Sequence, residues 1–211
     1  MIQQGEIKME YIYQEGLQTA PPLLLLHGTG GDEHSLIDLA SALSPDSAVL
    51  SLRGRVSEAG ANRFFRRFAE GKFDLVDLEV QTDYLLAFLI EFSNTHNIAL
   101  SDWVVVGYSN GANIGAHLLL ERMESPNRGI FFHGMSLGKH EADFDLAKKS
   151  VWFSAGINDP IVPQEATKAL VDAFQIRHGQ TDVLWTKQGH QLTYEEVASA
   201  KEWLATKGAL K

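Results

Sequence analysis

The sequence predicts an α/β fold: a mostly parallel central sheet with helices on both faces. Three observations carry that reading. Short apolar runs alternate with helical apolar patterns along the chain, the order that parallel strands joined by crossover helices require. Two of the runs, Leu23-Leu24-Leu25-Leu26 and Trp103-Val104-Val105-Val106, are apolar at every position, as strands buried on both faces must be. Both lead into glycine, at Gly28 and Gly107, where the chain leaves the sheet. In such a sheet, ligands bind outside the carboxyl ends of the strands.

The elements follow in order. Met9, Tyr11 and Tyr13 recur at period two and suggest an edge strand. Residues 23–27 read as a buried strand, and Leu36, Leu39, Ala40 and Leu43 mark a helix. Residues 49–52 are the next strand. From residue 53 to about 78 there is no clean period. Helix returns with Leu85, Phe88, Leu89 and Phe92. Residues 103–108 form a strand, followed by a helix through Ile114, Leu118 and Leu119. Strands are expected at 130–133 and 151–155, then a helical face of Ala166, Leu170 and Phe174. Residues 183–186 are the last strand, and Val197, Ala200 and Leu204 the last helix. With no internal repeat and no linker rich in Pro, Gly or Ser, the expectation is one domain over residues 1–211. Residues 53–78 form an excursion that covers the pocket.

Composition narrows the function classes. Hydrophobic residues make up 45% of the 211 and charged residues 21%, a balance that builds a core and excludes disorder. Lys plus Arg is 18 against 27 Asp plus Glu, a net charge of −9. An acidic surface disfavours nucleic acid and anionic membranes as partners. There is no cysteine, hence no disulfide, thiol nucleophile or zinc-thiolate site. His133 and His140 have no acidic partner at ligand spacing, and Asp32-Glu33-His34 reads as a helix start, so no metal is expected. The first six residues lack a basic region followed by an apolar stretch, and the apolar runs are too short to span a bilayer. A cytoplasmic protein without stable membrane association is expected.

Gly107-Tyr108-Ser109-Asn110-Gly111 carries the chemistry. It fits G-x-S-x-G, follows a buried strand and precedes a helix, so the turn lifts the Ser109 hydroxyl out of the sheet. The plainer reading is an N-capping serine. A serine hydroxyl needs a base to take its proton and a third group to orient that base. His190, after Gly189 in the loop leaving the last strand, can reach the nucleophile turn. His96, His117 and His178 belong to helices or their ends, and His27 is structural. Asp159 follows the strand at 151–155, in a loop stiffened by Pro160 and Pro163. Asp143 and Asp145 have no strand before them, and Asp182 begins the last strand at its wrong end. The catalytic residues are thus Ser109, Asp159 and His190, in the chain order of an α/β-hydrolase. An oxyanion hole needs two aimed amides. These are assigned to Asn110 and to Thr29, within the glycine cluster Gly28-Thr29-Gly30-Gly31.

Residues 53–77 hold six basic side chains, Arg53, Arg55, Arg63, Arg66, Arg67 and Lys72, against the four acids Glu58, Glu70, Asp74 and Asp77. The segment starts at the sheet edge where the site forms. Two readings stand side by side: its arginines meet an anionic group on the substrate and its phenylalanines line the pocket, or it is a surface excursion whose phenylalanines join the core and whose arginines pair with Glu58, Glu70 and Asp74. The residues chosen for substrate binding are Arg53, Arg55, Phe64 and Phe65, with Tyr108 beside the nucleophile.

As a set, His27-Gly28-Thr29-Gly30-Gly31, Gly107-Tyr108-Ser109-Asn110-Gly111, Gly156-Ile157-Asn158-Asp159-Pro160 and Gly189-His190 resemble the blocks of the phospholipase/carboxylesterase family of α/β-hydrolases, in their order. The likeness runs roughly from residue 23 to 204. It implies an α/β-hydrolase fold with no large separate cap domain, a serine esterase without cofactor, and a possible homodimer. Dienelactone hydrolases are near relatives that use a cysteine nucleophile, which this chain lacks. The arginine-rich stretch after residue 52 departs from the acyl-protein thioesterase-like members. The implied function is hydrolysis of small-molecule carboxylic esters, or thioesters, through an acyl-enzyme. A ligand-binding receptor or slow pseudo-enzyme on the same fold is the alternative.

Overall fold

The computed structural model describes residues 8–138 and 140–207. Strands β1 (Tyr11–Gln14) and β2 (Leu23–Leu26) are followed by helix α1 (Ile37–Leu43) and β3 (Val49–Leu52). Four short strands come next: β4 (Val56–Glu58), β5 (Ala61–Arg63), β6 (Arg67–Ala69) and β7 (Lys72–Phe73). Then α2 (Leu75–His96), β8 (Val104–Tyr108), α3 (Asn110–Glu121), β9 (Arg128–Phe132) and β10 (Ser150–Gly156) alternate. The described chain closes with α4 (Gln164–Gln175), β11 (Gln180–Thr186) and α5 (Tyr194–Thr206).

Seven strands form one sheet in the order β1-β3-β2-β8-β9-β10-β11. Every neighbouring pair is parallel except β1 with β3. The expected edge strand is therefore the antiparallel one, hydrogen-bonded along one side only. The all-apolar runs occupy the centre because both their faces are covered. Leu24, Leu26 and Val105 face one core, with Phe88 and Leu89 of α2, Ile114 and Leu118 of α3, and Leu170 and Phe174 of α4. Leu23, Leu25, Val104 and Val106 face the other, with Leu39 and Leu43 of α1 and Trp203 and Leu204 of α5. Each of the four leucines of β2 is fully buried, a contribution of roughly 1.5–3 kcal/mol per side chain. A charge placed anywhere in this strand would have no solvent-facing side to occupy.

The segment without a clean period is two hairpins. β4 pairs with β5, and β6 with β7, both antiparallel and both outside the main sheet. Strands of two or three residues are too short to show a period. α2 begins at Leu75, three residues earlier than the end expected for the excursion, because Asp74 caps it by accepting from the Asp77 amide at 3.0 Å.

One buried cation lies away from the sheet's carboxyl rim. Lys149, 3% exposed, donates to the Arg122 carbonyl at 3.1 Å and to the Ser125 hydroxyl. Burial, with Arg177 nearby, brings its ammonium down from 10.5 to about 7. Between those values the unfolded chain binds the proton more readily than the folded one, so stability rises with pH across that window. Below it, the cost of burying the charge is fully present. Lys149→Met is therefore expected to gain on the wild type in urea unfolding at about pH 6, with the gain narrowing by about pH 10. A gain that is constant with pH would contradict the buried-charge account.

Candidate active site

The turn after β8 is built by what its glycines lack. A Cβ on Gly107 would lie 2.6 Å from the Ala112 backbone, and one on Gly111 would lie 2.0 Å from the Leu26 carbonyl oxygen. Only glycine lets α3 start this close to β2. Between them Ser109 has φ 52° and ψ −112°, a strained conformation for a residue with a side chain. Its amide donates to the Phe132 carbonyl and its carbonyl accepts from Asn113, both at 2.9 Å. These bonds hold the hydroxyl at the sheet's carboxyl rim. The Ser109 side chain does not cap α3, which removes the plainer reading of this serine.

His190 and Asp159 reach the same point. His190 Nε2 lies 2.9 Å from Ser109 Oγ, and His190 Nδ1 lies 2.7 Å from Asp159 Oδ2. Asp159 Oδ1 accepts from the amides of Ile161 at 2.8 Å and Val162 at 3.0 Å, which leaves Oδ2 for the imidazole. Burial pushes the Asp159 carboxyl up, but the Val162 amide, the His190 ring and the Ile161 amide together bring it below the usual range. An ionised Asp159 can only accept, so Nδ1 carries the ring proton and Nε2 accepts from the serine. The donor atoms of His133, Asp159 and His190 fall within 4.8 Å of one another. His190 already engages both nitrogens with Ser109 and Asp159, which leaves a metal ion no lone pair on that ring.

The rival groups lie elsewhere. Asp145 pairs with His178 at 3.0 Å on the surface, and Asp182 accepts from Trp203 Nε1 at 2.9 Å. His27 is buried, with Nδ1 2.6 Å from the Gly28 carbonyl and Nε2 accepting from the Gly54 amide at 2.9 Å. It ties the glycine loop to the chain after β3. In that loop the Gly30 amide donates to Asn62 O at 2.9 Å and the Gly31 amide to Gly28 O at 3.0 Å. Among the described residues, the amides of Thr29 and Asn110 donate to no protein acceptor.

A cavity of about 340 Å³ opens onto Ser109 and His190. Thr29, Tyr108 and Asn110 line it, as do Arg63, Arg67, Glu70 and Phe73 of the hairpins and Met135, Ile161 and Val162 opposite. Tyr108 donates its hydroxyl to the His190 carbonyl at 2.8 Å, fixing the loop that carries the imidazole.

Four residues chosen for substrate contact do not line this cavity. Arg53 is held by Glu33 at 2.5 Å and by Glu10 at 2.5 Å, because β1 and the loop before α1 bring carboxylates to it. Arg55 lies over the Tyr84 ring of α2, 4.0 Å from its centroid. Phe64 and Phe65 are core residues, 2% and 0% exposed. The Phe64 amide donates to Asn110 Oδ1 at 2.7 Å, and its ring packs against His27. The link between the two hairpins turns these side chains inward, and the hairpins leave Arg63, Arg67 and Phe73 for the cavity wall. Arg63, 2% exposed, donates to Thr29 Oγ1 at 2.6 Å and so braces the loop that carries the Thr29 amide.

Two buried residues stand beside the site: Glu196, which the sequence reading did not single out, and His133, which it considered only as a metal ligand without an acidic partner. His133 follows β9, and its Nδ1 lies 3.3 Å from Asp159 Oδ2. Its Nε2 lies 2.9 Å from Oε1 of Glu196, on the first turn of α5. The available signal was position. Like Ser109 and Asp159, His133 leaves the carboxyl end of a central strand. Glu196 stands three residues after Thr193 and closes a capping box with it, which makes it look like a helix-start residue and nothing more.

The sequence profile of the dienelactone hydrolase family matches residues 65–211. MhqD of Bacillus subtilis (strain 168), which carries the general name of a hydrolase, is 40% identical over 195 residues, 92% of this chain and 97% of MhqD. The crystal structure of the Bacillus cereus carboxylesterase superposes with a TM-score of 0.91 at 41% identity, covering 95% of this chain and 94% of that one. YahD, solved with malic acid, superposes with a TM-score of 0.89 at 37% identity, over 94% of this chain and 98% of YahD. No helix among the described residues is long and apolar enough to cross a membrane.

Proposed function

Because the chain belongs to the dienelactone hydrolase family, and is a carboxylesterase-type hydrolase with the α/β-hydrolase fold, we propose that it cleaves small-molecule carboxylic esters through an acyl-enzyme on Ser109. One observation carries the reading: His190 stands within hydrogen-bond reach of both Ser109 Oγ and Asp159 Oδ2. His190 Nε2 takes the serine proton as Oγ bonds to the acyl carbon. The carbonyl oxygen becomes an oxyanion between the amides of Thr29 and Asn110, and each such donor is worth about 10²–10³ in rate. The intermediate collapses, the acyl–oxygen bond breaks, and the leaving alcohol takes the proton from His190. Water then attacks the acyl-enzyme, with His190 again accepting and returning the proton. Asp159 keeps the imidazole in its working tautomer and balances the imidazolium. A thioester would follow the same steps with a thiol leaving group.

The cavity sets the substrate size. About 340 Å³ is at the small end for a ligand site. Apolar Phe73, Met135, Ile161 and Val162 suit an acyl or alkyl group of modest length. A panel of p-nitrophenyl esters from about two to sixteen carbons, with matching thioesters, tests this. The expected result is sustained turnover with kcat/KM highest for short acyl groups and falling beyond about eight carbons. Absence of sustained turnover on any ester would overturn the reading, and the pseudo-enzyme alternative would take its place. A long-chain optimum would overturn the size argument alone.

A further inference from the structure

Helix α3 turns a polar side chain into the cavity that the ester chemistry does not use. Asn113 stands four residues after Ser109, about 6 Å further along the helix, and its amide donates to the Ser109 carbonyl at 2.9 Å. Its Oδ1 accepts from the Met135 amide at 2.9 Å. That bond fixes which way the side-chain amide is turned, because a backbone N–H can meet only the oxygen. Nδ2 is therefore the free end. It donates to no described residue, and unlike the Asn110 Nδ2 it is not sealed from solvent. Asn113 is 6% exposed and lines the cavity, so the space that Nδ2 meets is the cavity itself.

We propose that Asn113 is a specificity-determining residue whose Nδ2 donates to a neutral acceptor oxygen on the acyl chain of the substrate, at about the fourth carbon. The assignment builds on the reading of Ser109 as the nucleophile. The leaving oxygen must face His190, which returns the proton to it, so the group that runs along α3 from Ser109 is the acyl chain. An acyl chain bonded to Ser109 Oγ covers the span to Asn113 at about its fourth carbon, with a hydrogen bond filling the remainder. Nδ2 only donates, so its partner must be an acceptor. A plain alkyl chain would strip water from Nδ2 and give it nothing in exchange.

The charges of the wall decide between a neutral oxygen and a carboxylate. Arg63 and Arg67 reach the same Glu58 carboxylate, at 3.3 Å and 2.9 Å, and Glu70 lines the cavity beside them. Two guanidiniums against two carboxylates leave no net positive charge, and the ionised Asp159 stands behind His190. A substrate carboxylate would enter a wall with no cation to spare. A ketone or ether oxygen accepts from Asn113 without that cost. Phe73 and Met135, on the same wall, suit the carbon beyond it.

Methyl pentanoate, methyl 4-oxopentanoate and monomethyl butanedioate separate the possibilities. They place a methylene, a neutral acceptor and a carboxylate at the fourth carbon. For each, kcat/KM is read from acid release in wild type and in Asn113→Asp. Aspartate keeps an oxygen for the Met135 amide and replaces the donor by an acceptor, so a merely structural role survives it and the specificity role does not. Wild type is expected to favour the 4-oxo ester over the pentanoate by about tenfold, and the ratio to fall to about one or below in Asn113→Asp. The intrinsic reactivities of the two esters cancel when the ratio is compared between proteins. An unchanged ratio in Asn113→Asp, or a butanedioate ester ahead of the 4-oxo ester in wild type, overturns the proposal. Binding supplies a readout that needs no turnover. Ser109→Ala is titrated with methyl 4-oxopentanoate and with methyl pentanoate, alone and combined with Asn113→Asp. Tighter binding of the 4-oxo ester, removed by the second substitution, is expected, and equal binding of the two esters to Ser109→Ala overturns the proposal. If no ester is turned over but this preference is present, the subsite stands and the esterase reading falls. Sustained turnover of both esters at equal kcat/KM keeps the esterase reading and removes the subsite.

Discussion

Ser109→Ala is expected to lower kcat/KM for p-nitrophenyl esters by about 10⁴- to 10⁶-fold while leaving the fold intact. Among the described residues the hydroxyl makes one side-chain hydrogen bond, with His190 Nε2 at 2.9 Å, so little structure depends on it. The turn is held by backbone bonds from Ser109 to Phe132 and from Asn113 to Ser109, which alanine keeps. Serine at φ 52° is strained, and alanine is strained equally. Glycine at this position relieves that strain, so Ser109→Gly is expected to be about as inactive as the alanine variant and about 1 kcal/mol more stable. Steady-state kinetics and urea unfolding read the two effects separately. Activity surviving in Ser109→Ala within tenfold of wild type would contradict the assignment of the nucleophile.

The second large effect concerns stability. Gly111→Ala is expected to cost at least about 3 kcal/mol or to prevent folding outright. The added Cβ would sit 2.0 Å from Leu26 O, 2.4 Å from Leu26 C and 2.6 Å from His27 O. All three are backbone atoms of the central strand or the residue that follows it, and no rotamer change can move them aside. Relief requires α3 to back away from β2, which also pulls Ser109 and the Asn110 amide away from the Thr29 loop. Gly30→Ala is the control. It has a positive φ of 84° but nothing within 4 Å of its Cβ, so a cost near 1 kcal/mol is expected. Equal unfolding midpoints for Gly111→Ala and the wild type would show that the close approach of helix to strand is not needed.

Most of the architecture was legible in the sequence because the sheet is buried on both faces. The run Leu23-Leu24-Leu25-Leu26 has only one reading as a strand, and the central helices carry apolar faces long enough to show their period. The turn at Ser109 was legible because Gly107 and Gly111 answer a steric need that no other residue meets. The hairpins were not. Val56–Glu58 and Lys72–Phe73 are too short for alternation, and whether an arginine there faces solvent, a carboxylate or the cavity depends on the hairpin's twist. Arg53 and Arg63 look alike in the sequence. The first is drawn off by Glu10 and Glu33, and the second is buried against Thr29. His133 and Glu196 are separated by most of the carboxyl-terminal half of the chain. Only the closure of β9, β10 and α5 around Asp159 brings them together, and no local spacing encodes it.

Ester cleavage through Ser109 requires one covalent event, and trapping it is the most direct test. The protein is treated with a p-nitrophenyl phosphonate, digested, and the modified peptide located by mass spectrometry, in wild type and in His190→Ala. The expected result is one phosphonyl group per chain on the hydroxyl of Ser109, formed fast in wild type and at a rate lowered by several orders of magnitude without the imidazole. Label on a different residue, or equal rates in the two proteins, would contradict it.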